Sequence, residues 1–448
     1  MNVALGMNSS EFETYTVRPV AARCDEIRTL VTSADGHEIG AQRWWYPFLQ
    51  NASAKQRAAV ELKFSGIWWP ELDEGVPVEG LLPGWMTPVV KMLAPLRAAR
   101  APIRRKSLTF LVAAALLTAN GAAWAQERML GIAVADNPER PYDQSIKIAS
   151  RAGATYATLP LQWDEVETTP GKYSPEPDWL GIATAYYPTV KWKVALELNP
   201  IDTVADRRPQ WLRGKAWDDP AVVDAYREMV RQVLEKSRGI DLVSFAVGNE
   251  VDGVLGSDAS AWDAYARLVA AARSEVRALR PDLPIGVKVT FGGLTGDARD
   301  GILRINAETD VAMIDWYPID AAFRARDPEM SVKDDLEIIA AAFPGTEIHL
   351  TEVGYPSSES CAGGETAQAE FIHAFFQEWD DRAAQITRVY WDWMTDVAQA
   401  EVERARTYYG IAAPCFAEYI ATLGLETNKL KPKAGWTAFA EEAAKRFH

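Results

Sequence analysis

The sequence predicts an α/β fold, a closed (β/α)8 barrel. Three observations predict it. From residue 126 to the end of the 448-residue chain, eight apolar strand-like segments alternate with helical ones. Two of these segments end on a glutamate beside small or turn-forming residues, where a barrel of this kind gathers its reactive side chains. No glycine-rich phosphate loop follows the first segment, which argues against an open nucleotide-binding sheet.

The elements run as follows. RMLGIAVA (128–135) reads as a strand, and SIKIASRAG after it as a helix. ATYATLPLQW (154–163) is the second strand, followed by an acidic loop rich in Pro and Gly. KVALELN (193–199) is the third. The helix over 218–237 has Asp219 to cap it and Pro220 in its first turn. DLVSFAVGNE (241–250) is the fourth strand, and Trp262 to Arg280 an amphipathic helix stopped by Pro281. Strands five to eight are PIGVKVTFGG (284–293), DVAMIDWYPID (310–320), TEIHLTEVG (346–354) and ITRVYWDWMTD (386–396). Helical DDLEIIAAAF and ETAQAEFIHAFFQEW separate the last three.

Ahead of this pattern lies a leader, residues 1–102, with scattered apolar runs and no sustained period of 2 or 3.6. Residues 103–125 read as a secretory signal peptide. Arg104, Arg105 and Lys106 form its basic flank, Leu108 to Ala119 its apolar stretch, and Ala123-Trp124-Ala125 a cleavage site before Gln126. The apolar stretch is too short for a comfortable span of about 20 residues. Such a peptide belongs at the start of a chain. The favoured reading is therefore a downstream true start, near Met92, with the leader translated from a mistaken one; the competing readings are an uncleaved signal anchor and a core helix. The expected location is secreted or periplasmic, without stable membrane insertion after cleavage.

Composition narrows the function. A net charge of −15 and a pI near 4.9 argue against a nucleic-acid partner. The four histidines show no metal-ligand spacing, so no metal site is expected. Seventeen tryptophans suit sugar-ring stacking and equally a bulky core. Cys361 and Cys415 are the only cysteines after the cleavage site. In an exported protein they are expected to pair, tying the loop after strand seven to the segment after strand eight.

On a barrel the strand ends converge on one face. Strand four then delivers Gly248-Asn249-Glu250, strand six Trp316-Tyr317-Pro318, strand seven Thr351-Glu352, and strand eight Trp391 and Trp393. An Asn-Glu pair ending strand four and a Glu ending strand seven resemble the clan of retaining glycoside hydrolases built on TIM barrels. TEVGYPSS is similar to the nucleophile motif of plant-type β-1,3-glucanases, and the whole pattern resembles the arabinogalactan endo-β-1,4-galactanases. The resemblance covers roughly 127–448. It implies that 126–448 is the catalytic domain, with Glu352 as nucleophile and Glu250 as acid/base. It implies that Asn249 binds the sugar 2-hydroxyl, that Tyr317 donates to Glu352, and that Trp391 or Trp393 floors the sugar. The chain departs from the clan where many members have Arg and His at the ends of strands two and three; Gln162, Trp163 and Glu197 stand there instead. Lys288 on strand five is expected either at the barrel mouth or paired with an acid inside.

The implied function is retaining hydrolysis of a β-linked polysaccharide or oligosaccharide without a cofactor. A transglycosylase using the same residues and a catalytically silent carbohydrate-binding barrel are the alternatives.

Overall fold

The computed structural model describes residues 19–24, 28–33, 38–42, 47–50, 52–62, 66–72, 74–77 and, except 136, 138, 174 and 176, 128–447. The predicted signal peptide, 103–125, lies outside the described residues, as does much of the leader.

The barrel strands are β1 (Met129–Ile132), β2 (Tyr156–Gln162), β3 (Lys193–Asp202), β4 (Leu242–Asn249), β5 in two pieces (Ile285–Gly286 and Lys288–Thr290), β6 (Val311–Trp316), β7 (Glu347–Val353) and β8 (Ile386–Trp391). All neighbouring pairs around the ring are parallel. β5 closes it: its first piece pairs with β4 and its second with β6. Outside the ring lie α1 (Tyr142–Arg151), α2 (Trp179–Val190), α3 (Pro220–Lys236), α4 (Ala259–Leu279), α5 (Arg299–Ile305), α6 (Pro328–Ala342), α7 (Glu365–Asp381) and α8 (Ala434–Phe447). The fold is the expected (β/α)8 barrel. The caps follow from sequence too: Asp219 accepts from the Ala221 N–H at 2.9 Å, with Pro220 in the first turn of α3.

Strand alternation sorts the core. On β3, Leu196 and Leu198 join the layer between sheet and helices, while Ala195, Glu197 and Asn199 line the interior. On β7, Ile348 and Leu350 face the helices, so strict alternation would turn Glu352 outward as well. A bulge prevents this. Ile314 of β6 pairs with Leu350, and the next residue, Asp315, pairs with Glu352. Thr351 is the extra residue, and it brings both Thr351 and Glu352 to the cavity.

The described part of the leader forms two small antiparallel sheets, Pro19–Cys24 with Arg28–Ser33 and Glu38–Gln42, and Glu61–Leu62 with Gly66–Trp69 and Glu74–Pro77. Their strands have two to six residues, too short to show a period in sequence. Val31, Leu49, Ile67 and Trp69 make a core of their own, and Trp179 and Ile182 of α2 pack against it. No helix among the described residues is long and apolar enough to cross a membrane.

Candidate active site

A cavity of about 370 Å³ opens among the strand ends, lined on one side by Gln162, Asn199 and Asp202 and on the other by Glu352, Asp392 and Trp393. Glu250 follows directly on β4. The turn that presents it is sterically demanding: Gly248 has φ +86°, and a Cβ there would lie 2.5 Å from the Tyr265 hydroxyl. Glu250 itself has φ +44°, a left-handed conformation that costs a non-glycine residue roughly 1 kcal/mol or more. Thr203 (φ +49°) faces it, and its hydroxyl donates to Glu250 Oε2 at 2.7 Å.

Glu352 is held at both oxygens. Lys288 Nζ donates to Oε1 at 2.8 Å and the Tyr317 hydroxyl to Oε2 at 2.8 Å. The same hydroxyl lies 3.1 Å from Asp392 Oδ2. Carboxylate oxygens of Glu250, Asp315 and Glu352 come within 4.8 Å of one another, a spacing that could hold a cation, and the Lys288 ammonium already sits against two of them.

The two glutamates occupy unlike surroundings. Burial first, and then the charge of Glu352, push the Glu250 carboxyl up to about 8. Burial and the same neighbour raise Asp315 and Asp392 well above the usual carboxylate range. Burial alone would push Lys288 down, but Asp315, Glu197 and Glu352 outweigh it and keep the ammonium charged. Glu352 thus receives two donors, while burial and its neighbour favour the protonated form of Glu250.

The expected site residues divide. Asn249 and Glu352 line the cavity, and Glu250 and Tyr317 meet Glu352 beside it; Asn249 Nδ2 donates to Asp202 Oδ1 at 3.0 Å. Trp393 lines the cavity and Trp391 does not: Trp391 is fully buried against Phe371, Phe375 and Phe439. β8 ends at Trp391, so the rule that residues two apart share a face stops before Trp393. Trp163 is likewise a core residue, fully buried edge-on to Tyr226, with its indole N–H donating to Glu167 Oε2 at 2.9 Å. Cys361 and Cys415 are disulfide-bonded, with Cα atoms 5.7 Å apart.

Sequence reasoning missed several groups in or beside the cavity. Thr203 carries no motif and reaches Glu250 only through a loop. Asn199 was hidden as one polar residue at the end of a hydrophobic strand; it is buried, and neither amide atom has a partner. Gln162 Oε1 and Asn249 Oδ1 are also unpartnered. Tyr408, on the helix Gln399–Tyr409 that follows β8, donates to Asp202 Oδ2 at 2.7 Å and links that insertion to the end of β3.

Solved structures of similar fold include an exo-β-1,4-mannosidase from Opitutaceae bacterium strain TAV5, with TM-score 0.57 and 14% identity over 74% of this chain and 62% of that one. The chain has the fold of these barrels. A GH5_18 variant from Bifidobacterium longum subsp. longum in complex with Manβ1-4GlcNAc gives 0.55 and 16%, over 71% of this chain and 78% of that one. Native xylanase 10B from Thermotoga maritima gives 0.51 and 16%, over 72% and 97%. The chain spans less than two thirds of the length of the Opitutaceae mannosidase, 62%. Residues 19–87 match the model of a family described as a protein of unknown function, DUF2442. No curated protein sequence matches significantly.

Proposed function

We propose that the barrel is a retaining β-glycosidase acting on a neutral β-linked glycan. One observation carries the reading: Glu250 and Glu352 stand with oxygens within 4.8 Å, one environment favouring the acid and the other the carboxylate. Retaining hydrolysis needs two carboxyl groups about 5 Å apart in those two states.

In the first step a Glu352 oxygen attacks the anomeric carbon. The bond to the leaving oxygen breaks, and Glu250 supplies that oxygen's proton. The glycosyl ester removes the charge that kept Glu250 protonated, so Glu250 ionises. It then takes a proton from water as the water oxygen attacks the anomeric carbon and Glu352 departs as carboxylate. The configuration is inverted twice and so retained. Asn249, Asn199 and Gln162 offer unpartnered amide atoms to sugar hydroxyls. Lys288 is the one cation among the residues lining the cavity, and Glu197, Asp315 and Glu352 already engage it, which disfavours an anionic sugar. The fold shared with a mannosidase and a xylanase supports the reaction class.

The same reading takes 126–448 as the catalytic unit, exported after cleavage at Ala125; the disulfide and the separate family match of the leader support that division. A reducing-sugar assay over β-glucans, galactans, mannans and xylans tests the function. Release of new reducing ends supports it. Longer oligosaccharides without net hydrolysis point to a transglycosylase, and binding without turnover to a silent barrel.

A further inference from the structure

Lys288 belongs to neither half of the two-glutamate pair, yet it is placed as if it served one of them. It is 2% exposed, in the second piece of β5. Its Nζ lies 3.2 Å from Glu197 Oε1 on β3, 3.6 Å from Asp315 Oδ2 on β6 and 2.8 Å from Glu352 Oε1 on β7. The shortest contact is thus to the nucleophile, although two deeper-buried acids are in reach. Its backbone carbonyl accepts from the Val251 N–H at 3.1 Å, so the strand that carries Lys288 is also bonded directly beside Glu250. A buried ammonium is costly unless paired. Here the pairing is made with a group that must lose its charge once in every catalytic cycle.

We propose that Lys288 is a positioning residue that stabilises Glu352 as a carboxylate, above all as it departs from the glycosyl-enzyme. The inference rests on the glycosidase reading. With Lys288 on Oε1 and Tyr317 on Oε2, the carboxylate plane is fixed by two donors. During glycosylation the Glu352 charge disappears and Lys288 is left with Glu197 and Asp315. During deglycosylation the charge returns 2.8 Å from an ammonium whose own side chain is buried, so the attraction is screened less than it would be between two exposed groups. Glu352 is thereby the better leaving group. Thr351 supports the arrangement by donating to Asp315 Oδ1 at 2.6 Å, which leaves Oδ2 turned to Lys288. The other titratable groups acting on this cluster are Glu250, Asp202 and Asp392 with Tyr156, Tyr317, Tyr409 and Tyr419.

The test is Lys288→Met in the full chain, on an aryl β-glycoside with a good leaving group. kcat is expected to fall on the order of 10²-fold. KM is expected to fall with it, because the second step now limits turnover, and a burst of aglycone should precede the slow steady state. The acid limb of the kcat/KM profile should move to higher pH, since the carboxylate has lost its cation. Methylammonium should restore part of kcat in Lys288→Ala. If Lys288→Met does not fold, Glu197→Gln/Lys288→Met removes the orphaned acid; a structural role predicts that this pair recovers fold and kcat together, the positioning role that it recovers fold alone. Unchanged kcat, or a lowered kcat with no burst, overturns the inference. A wild-type chain inactive on the glycan panel overturns the glycosidase reading and this inference with it, whereas an active wild type with an insensitive variant overturns this inference alone.

Discussion

At the scale of the residue, the proposed chemistry turns on protonation. Burial first, and then the Glu352 charge, push the Glu250 carboxyl up to about 8. The basic limb of kcat/KM should therefore fall near pH 8, and Glu250→Gln should remove that limb. The same shift has a cost in stability. The folded chain binds a proton that the unfolded chain releases near 4.3, so this contribution to folding is complete below that pH and is lost as pH rises towards 8. A urea titration of wild type against Glu250→Gln should show the difference in slope across that window. Asn199→Ala tests a second kind of residue. Its amide makes no internal hydrogen bond, so thermal stability should change little, within about 1 kcal/mol, while KM rises. Marked unfolding would mean that the amide has a structural partner. The convergence of Glu250, Asn249, Tyr317 and Glu352 was legible because each ends or follows a barrel strand, and those ends gather on one face. The faces of Trp163 and Trp391 were not, because an indole fits a core and a sugar platform equally well and packing alone decides.

At the scale of the element, the eight strands and α1, α3, α4, α6 and α7 were legible, and α3 matches its expected span to within two residues at each end, whereas α2, the seven-residue α5 and α8 were not read as helices. Two local devices were not legible either. The bulge at Thr351 breaks the two-residue period that would have turned Glu352 outward, and β5 is divided so that it can pair with both neighbours. Neither leaves a mark in hydrophobic pattern. The Gly248 turn is testable directly. Gly248→Ala sets a Cβ 2.5 Å from the Tyr265 hydroxyl at φ +86°, and should cost about 1–3 kcal/mol with loss of activity, read by denaturant titration. Normal stability and turnover would show that the turn has room to relax. The Cys361–Cys415 bridge closes a 54-residue separation around the insertion after β8. Reduction should lower stability by up to about 4 kcal/mol on the chain-entropy account, and unchanged thermal unfolding after reduction would contradict it.

At the scale of the whole molecule, the barrel is one closed ring with its own core, and the described leader has another. The two differ in pattern, but nothing in the sequence marks Trp179 and Ile182 as touching the leader, because Trp179 falls in a stretch read as an acidic loop. A chain starting at Gln126 should fold and keep full activity, with a small stability loss from uncovering those side chains; insolubility of that chain beside a soluble full-length one would make the leader part of the fold. The central claim is the division of labour between Glu250 and Glu352, and mass spectrometry of Glu250→Gln with a 2,4-dinitrophenyl β-glycoside of the preferred sugar tests it most directly. That leaving group departs without a proton, whereas water attack lacks its base, an assistance typically worth ~10²–10⁴-fold. The account predicts a covalent glycosyl adduct that accumulates, maps to the peptide containing Glu352, and is discharged by azide to the β-glycosyl azide. An adduct on any other residue, or continued turnover in Glu250→Gln at the wild-type rate on the natural glycan, would contradict it.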